Sequence, residues 1–338
     1  MQLNAIHHTP KAGRIKALGL TSGGLDSTLA ALVMKRLGIE VLQICFTTPF
    51  FSDENARRMA AQAGLDLESV DITNAHMRML RSPKYGYGRH MNPCIDCHTL
   101  MVRLAGELLA EKKADFVFTG EVLGQRPMSQ NRQSLAAVNR GSGLNGLLVR
   151  PLSGRLLDPT AAELKGWIDR EQLLEFQGRS RKPQMRLAEE LNLKWYPAPA
   201  GGCLLTQEVF ARRLKDLFHY QGEDVDTSEI ELLKLGRHLR FNDRVKVVVG
   251  RNESENDRML ALRLPQSVVL GTVDIPGPLV VAFRGLDQEL FGKAADLCAT
   301  YSDASRTEAV RVEVRIGSTS QWIQGTRGDR DSYGEFLI

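Results

Sequence analysis

The chain has 338 residues, 43% hydrophobic and 25% charged, with 44 Lys and Arg against 40 Asp and Glu for a net charge of +4. At roughly 150 residues per domain this length calls for two domains, and so ordinary a composition excludes collagen, coiled-coil and disordered classes. No run approaches the ~18 apolar residues of a membrane span, the start MQLNAIHHTPK is not a signal-peptide apolar stretch, and five cysteines are an odd, sparse set, so a cytoplasmic protein with reduced thiols and no membrane contact is expected.

Residues 15–20 (IKALGL) read as a short buried strand, and residues 27–37 as the helix after it, stopped by Gly38. Strands follow at 40–46 and 67–72, with a helix at 53–63 between them. A helix at 99–112 precedes a strand at 116–119; a polar, Gly/Asn/Arg-rich passage then runs to about residue 149. Helices are expected again at 160–172 and 183–191. Buried strands alternating with helices predict an α/β fold with a doubly wound parallel sheet. The Pro- and Gly-rich WYPAPAGGCLL at 195–205 is the boundary, placing one domain at 1–204 and the other at 205–338. Beyond it come a helix at 207–218, strand-like runs at 245–249, 259–264, 267–269 and 279–283, a helix at 287–300 and a strand at 309–316. That order describes a smaller α+β domain.

Charge is not shared evenly. Residues 1–205 carry +7 and residues 206–338 carry −3. The interval 122–157 holds Arg126, Arg132, Arg140, Arg150 and Arg155 and no acid, which suits a polyanion such as RNA or a nucleotide phosphate.

The sharpest local signal is Ser22-Gly23-Gly24-Leu25-Asp26-Ser27, directly after a strand and opening a helix. Glycines allow a tight turn and close approach of backbone N–H groups to an anion, which the helix start favours. Ser22 and Ser27 add hydroxyls, and Asp26 is suited to Mg²⁺. A Walker A loop is excluded, because the Lys-Ser/Thr ending is missing. The second constellation is Asn92-Pro93-Cys94-Ile95-Asp96-Cys97-His98 with the distant Gly201-Gly202-Cys203. A C-x-x-C pair and a third cysteine can share a metal or a cluster, and three thiolates would leave one iron of a [4Fe–4S] cluster open. A metal-free persulfide pair of Cys94 and Cys203, or a structural zinc, stays open beside it. Cys45 and Cys298 read as core thiols.

SGGLDS resembles the PP-loop of the ATP pyrophosphatase superfamily, whose members split ATP to AMP and pyrophosphate as they adenylate a substrate oxygen. NPCIDCH with Cys203 resembles the cysteine pattern of the tRNA thiouridine synthetases. Thr119-Gly120-Glu121-Val122-Leu123-Gly124-Gln125 is similar to the TGE-x-LGQ element of the 4-thiouridine enzymes, which faces the nucleotide. The resemblance implies ATP and Mg²⁺ on residues 22–27 with Gly120 and Gln125, and Asp26, Cys94 and Cys203 in catalysis. It also implies a [4Fe–4S] cluster on Cys94, Cys97 and Cys203. The activity implied is adenylation of a tRNA uridine carbonyl and its replacement by sulfur from sulfide, a cysteine desulfurase or a sulfur carrier. A homodimer is left open.

In the second domain, GRH-x-R at 236–240 and VGRNE-x-EN at 249–256 are similar to the small NFACT-type domain thought to contact RNA. Arg237, His238, Arg240 and Arg251 would then meet phosphates, and Arg126, Arg132 and Arg140 are the candidates in the first domain. The alternatives are a PP-loop enzyme that forms an amide or thiolates a small molecule, and a non-catalytic RNA-binding module with a structural zinc.

Overall fold

The computed structural model describes residues 14–199, 203–222, 224–305 and 309–338. Gly201 and Gly202 lie outside the described residues. The chain divides into two compact units, Met1–Leu204 and Leu205–Ile338.

In the first unit β1 (Lys16–Leu20), α1 (Leu25–Arg36), β2 (Glu40–Thr47), α2 (Glu54–Ala63), β3 (Asp66–Asp71), α3 (Thr73–Arg81), α4 (Cys94–Glu107), β4 (Phe116–Thr119), α5 (Arg132–Ser142) and β5 (Leu148–Val149) follow one another. The five strands form one parallel sheet in the order β3-β2-β1-β4-β5. Successive strand residues point to opposite faces, so both faces need cover. Ala17, Phe116, Phe118 and Val149 pack with Leu29 and Met34 of α1, Met59 of α2 and Leu187 of α7 (Lys182–Glu190). Leu18, Ile44, Val117 and Leu148 pack on the other face with Val102 and Ala105 of α4 and Val138 of α5. The sheet is therefore doubly wound. Chain order reverses between β1 and β4, whose register pairs Leu20 with Thr119, so the loops after these strands leave the sheet side by side. In open α/β sheets such a switch point is where ligands bind. Gly19 is needed here, since a Cβ would sit 2.4 Å from the Phe118 ring.

Several expected bounds move. α4 starts at Cys94, five residues before the expected 99, because Pro93 stands in the N-cap position where its missing N–H costs nothing. The expected helix at 160–172 is only α6 (Ala161–Leu164), ended by Gly166 at φ 69°, plus a single turn at Arg170–Gln172. α3 and α5 were not expected, and α5 falls inside the supposed polar passage, capped by Asn131, whose side chain accepts from Ser134 N at 2.9 Å.

The second unit contains α8 (Glu208–Gln221), α9 (Thr227–Leu232), β6 (Arg237–Arg240), β7 (Lys246–Val249), α10 (Glu253–Leu262), β8 (Val268–Thr272), β9 (Leu279–Ala282), α11 (Phe291–Tyr301), β10 (Ala309–Ile316) and β11 (Thr319–Thr326). Its six strands form an antiparallel sheet, β11-β10-β8-β9-β7-β6. Val247, Leu270, Val280 and Val312 face α11, while Val248, Val269 and Val281 face Leu232 of α9 and Met259 of α10. Of the run 259–264, expected as a strand, residues 259–262 form the end of α10. Asn252 caps that helix by accepting from Glu255 N at 3.0 Å, a local signal stronger than four apolar residues in a row. Among the described residues no helix is long and apolar enough to cross a membrane.

Candidate functional site

The loop after β1 is built to present its backbone. Gly23 has φ 71°, and a Cβ there would lie 2.2 Å from Ala56 N; at Gly120, after β4, a Cβ would lie 2.5 Å from the Asp26 carbonyl carbon and Ser27 N. Both glycines thus permit backbone-to-backbone contact that no other residue allows. Thr21 Oγ1 accepts from Gly23 N at 3.1 Å and lies 3.0 Å from Ser27 Oγ, which donates to Gly24 O at 3.0 Å. Ser27 therefore braces the loop, whereas Ser22 is exposed and Leu25 is buried in the core. α1 has no side-chain cap, so the N–H groups of its first turn remain for an anion.

Asp26 opens toward the same space. Its Oδ2 accepts from Gln125 Nε2 at 2.8 Å, and Gln125 Oε1 accepts in turn from Gln184 Nε2 at 3.2 Å. Its Oδ1 is buried without a hydrogen-bond partner among the described residues. Burial pushes the Asp26 carboxyl up, opposed by the Gln125 hydrogen bond and by the nearby Arg181 and Arg126.

The thiols stand beside this loop. Cys94 is the first residue of α4, which also lacks a side-chain cap, and its Sγ lies 3.1 Å from Asn92 Oδ1. Burial raises the Cys94 thiol, while Asn92, Arg126 and Ser129 oppose that shift. Arg126 is near enough to lower both the Asp26 carboxyl and the Cys94 thiol, and His98 of α4 lies 2.8 Å from Glu121, the residue after Gly120. Cys97 is driven well above the usual thiol range by burial and further by Cys203 and Cys94 close by. Cys94 and Cys203 are thus within electrostatic reach of Cys97. Among the described residues, no three His, Cys, Asp or Glu side chains converge tightly enough to hold a single metal ion. Cys94, Cys97 and Cys203 are all half-buried thiols, and thiolates are the donors that iron–sulfur clusters take. Cys45 and Cys298 are buried in β2 and α11, and burial pushes Cys45 up to about 11.

Two buried groups hold this region in place. His76 is wholly buried between Phe50 and Phe51, with Nε2 3.6 Å from Cys97 Sγ, and burial lowers it to about 4, so it is neutral. Glu121 accepts from Arg150 Nε at 2.8 Å and from Thr119 Oγ1 at 3.0 Å and lies 2.8 Å from His98 Nδ1. Burial would raise that carboxyl, but Arg150 and His98 more than offset it and hold it well below the usual range.

The arginines divide. Arg126, Arg132 and Arg140 are exposed, although Arg132 Nη2 also donates to Leu156 O at 2.9 Å. Arg150 is buried against Glu121 and cannot face a polyanion. In the second unit the expected phosphate cluster is largely committed to the fold. His238 Nε2 donates to Leu232 O and Leu235 O at 3.1 and 3.0 Å. Arg240 is held by both oxygens of Asp216 at 2.6 and 2.7 Å and lies over the Tyr220 ring. Arg251 pairs with Glu255, which also accepts from Gly236 N at 3.1 Å, and Arg237 lies half-buried over the Tyr301 ring. GRH-x-R and VGRNE-x-EN lock β6, β7 and α10 together, so Arg240 is corrected from a phosphate ligand to a structural residue.

Sequence reasoning missed Arg181 and Gln184 altogether. Residues 176–188 carry Arg179, Arg181, Lys182 and Arg186 without an acid, so the criterion applied to 122–157 would have found them.

Residues 13–158 match the family described as thiamine biosynthesis protein (ThiI), and residues 236–336 match the NFACT protein RNA binding domain. A probable tRNA sulfurtransferase of Levilactobacillus brevis is 30% identical over 146 residues, 40% of this chain and 34% of that protein. Proteins of the same name from Thermoanaerobacter sp. and Thermococcus kodakarensis are 29% and 27% identical, each over 41% of this chain and 37% of the relative. The chain spans about a third of the length of these curated relatives. A solved 4-thiouridine synthetase–RNA complex with bound ATP is 22% identical, covering 53% of this chain and 51% of that chain, with a TM-score of 0.35, too low to carry any detail.

Proposed function

We propose that this chain, which joins a ThiI-type PP-loop domain at residues 13–158 to an NFACT-type RNA-binding domain at residues 236–336, is an ATP-dependent tRNA sulfurtransferase. The observation that carries the reading is that Gly120 packs on the Asp26 backbone while its neighbour Glu121 lies 2.8 Å from His98 on the cysteine-bearing helix. Activation of an oxygen and delivery of sulfur must occur at one carbon, so the two devices must share one site.

The backbone of Gly23 and Gly24, the Ser22 hydroxyl and the uncapped start of α1 bind the phosphates of ATP. Asp26, whose Oδ2 is fixed by Gln125, would hold the Mg²⁺ that accompanies ATP. Gly120 lets the loop after β4 close on that turn. A uridine carbonyl oxygen attacks the α-phosphorus, and pyrophosphate leaves with the electron pair of the broken bond. Sulfur then adds to the ring carbon, and AMP leaves with the former carbonyl oxygen. Charge developing on the pyrophosphate is stabilised by donors already in position. Cys94, Cys97 and Cys203 would hold a [4Fe–4S] cluster, which would supply the sulfide. His76 and the Glu121–Arg150–His98 group hold the thiol-bearing helix in register. Exposed Arg126, Arg132 and Arg140 contact the RNA backbone.

A second reading dispenses with the cluster: a sulfane-sulfur donor loads Cys94 as a persulfide, whose outer sulfur adds to the ring carbon. Cys203 then breaks the S–S bond, and the Cys94–Cys203 disulfide left behind is reduced by an external dithiol. Asn92 and Arg126 oppose the rise that burial imposes on the Cys94 thiol. Anaerobic purification, iron and sulfide analysis, and ATP-dependent ³⁵S transfer to thiouridine-free tRNA separate the readings. Stoichiometric cluster with transfer abolished in Cys94→Ala and Cys97→Ala supports the first. Iron-free protein that transfers sulfur supports the second, and absence of transfer with every donor overturns both.

A further inference from the structure

The loop leading into α7 lies outside every motif the function has absorbed, yet it is bound to the loop after β4. Leu123 pairs with Gln177 in an isolated parallel bridge, and Gly178 N donates to Leu123 O at 2.7 Å. A Cβ on Gly124 would lie 3.4 Å from Gly178 N, so the two turns are in backbone contact. Seven residues on, Gln184 is wholly buried and joins Asp26 through Gln125. Its Oε1 has no hydrogen-bond partner among the described residues.

Between these two anchors stands Arg181. It is the N-cap residue of α7, a helix with no side-chain cap, and its Nε is buried without a partner among the described residues. Burying a guanidinium N–H unpaired is costly unless a ligand completes it. Its charge reaches Asp26, the residue beside which the phosphates of a nucleotide would lie. A planar fork of donors on this wall suits a polyphosphate.

We propose that residues 177–184 form the second wall of the phosphate site, with Arg181 binding the β- and γ-phosphates that leave as pyrophosphate. Arg181 is then a catalytic residue in the sense that it touches the leaving group. Gln184 is a positioning residue that carries the α7 start to Asp26 through Gln125. This rests on the reading of SGGLDS as a nucleotide loop, but not on the identity of the sulfur acceptor.

Calorimetric titration of the full chain with ATP–Mg²⁺, inorganic pyrophosphate and AMP tests it, on wild type, Arg181→Ala and Arg181→Lys. The expected result is a loss of about tenfold or more in pyrophosphate and ATP affinity for R181A, as one charge-assisted contact warrants. AMP affinity stays unchanged, and R181K recovers part of the loss. Unchanged pyrophosphate affinity in R181A overturns the proposal, as does an equal loss for AMP, which would mark a structural role. Weakened tRNA binding with intact pyrophosphate binding overturns it in favour of an RNA contact. Should R181A melt early, R181K decides by the same ratio of pyrophosphate to AMP affinity. A wild-type chain that binds ATP and pyrophosphate but moves no sulfur overturns the sulfurtransferase reading alone. One that binds neither overturns the nucleotide loop itself.

Discussion

At the scale of single residues, the site depends on positions where one atom decides. Gly23→Ala places a methyl group 2.2 Å from Ala56 N at a positive φ, so the turn must open. Nucleotide titration is expected to show ATP–Mg²⁺ affinity lost in this variant, with the overall fold retained by circular dichroism. Glu121→Gln keeps the shape but removes the charge facing buried Arg150, leaving a guanidinium with 3% exposure uncompensated. Breaking such a pair costs about 3–5 kcal/mol, and a fall of that order in denaturant-unfolding stability is expected. A variant as stable as wild type would mean that Arg150 gains its stability elsewhere.

At the scale of elements, α4 is the device that joins the thiols to their surroundings. Asp96, in the first turn of the helix, accepts from Lys84 N at 3.0 Å and Tyr85 N at 2.9 Å and so ties down the connection from α3. Asp96→Ala removes both acceptors at once. Faster proteolytic cleavage at Lys84 or Arg89 is expected, with β-sheet protection unchanged in hydrogen exchange. In the second unit the corresponding lock is His238 under α9. Burial, then Lys246 and Arg213, hold it well below its ordinary value, so the native state keeps a neutral imidazole while the unfolded chain protonates near 6.5. Below that pH the unfolded state binds the extra proton, so stability falls as pH drops, by up to about 1.4 kcal/mol per unit from this group. Full stability from this residue is present above about 6.5. His238→Gln, which can still donate to one carbonyl, is expected to flatten that slope in denaturant titrations between pH 7 and 5.

At the scale of the whole molecule, each unit covers both faces of its own sheet. The second has cores on either side of β7, β8 and β9. A fragment of residues 205–338 is therefore expected to unfold cooperatively by itself, with an unchanged midpoint when residues 1–204 are absent. A non-cooperative melt would show that the boundary lies elsewhere.

How far the chain could be read without its fold follows from the range of each force. Strands β1, β2, β4 and β10 and the SGGLDS turn are written in local terms, because a buried apolar run and a glycine at positive φ need only their neighbours. The C-x-x-C spacing likewise marks a thiol pair. Local pattern failed where a cap outweighed periodicity, at α10, and where a helix had few apolar residues, as α5 does. The partition of charged groups was beyond it entirely. Arg126 and Arg150 sit in one acid-free stretch, yet one is exposed and the other is buried on Glu121, since burial is set by residues far away in sequence. Arg240 went to Asp216 for the same reason. Composition, spacing and turn chemistry thus specified an α/β nucleotide fold with a three-thiol motif. Only tertiary packing decided which cations remained for an anion, and placed Arg181, Gln184 and Cys203, all remote in sequence, around Asp26 and Cys97.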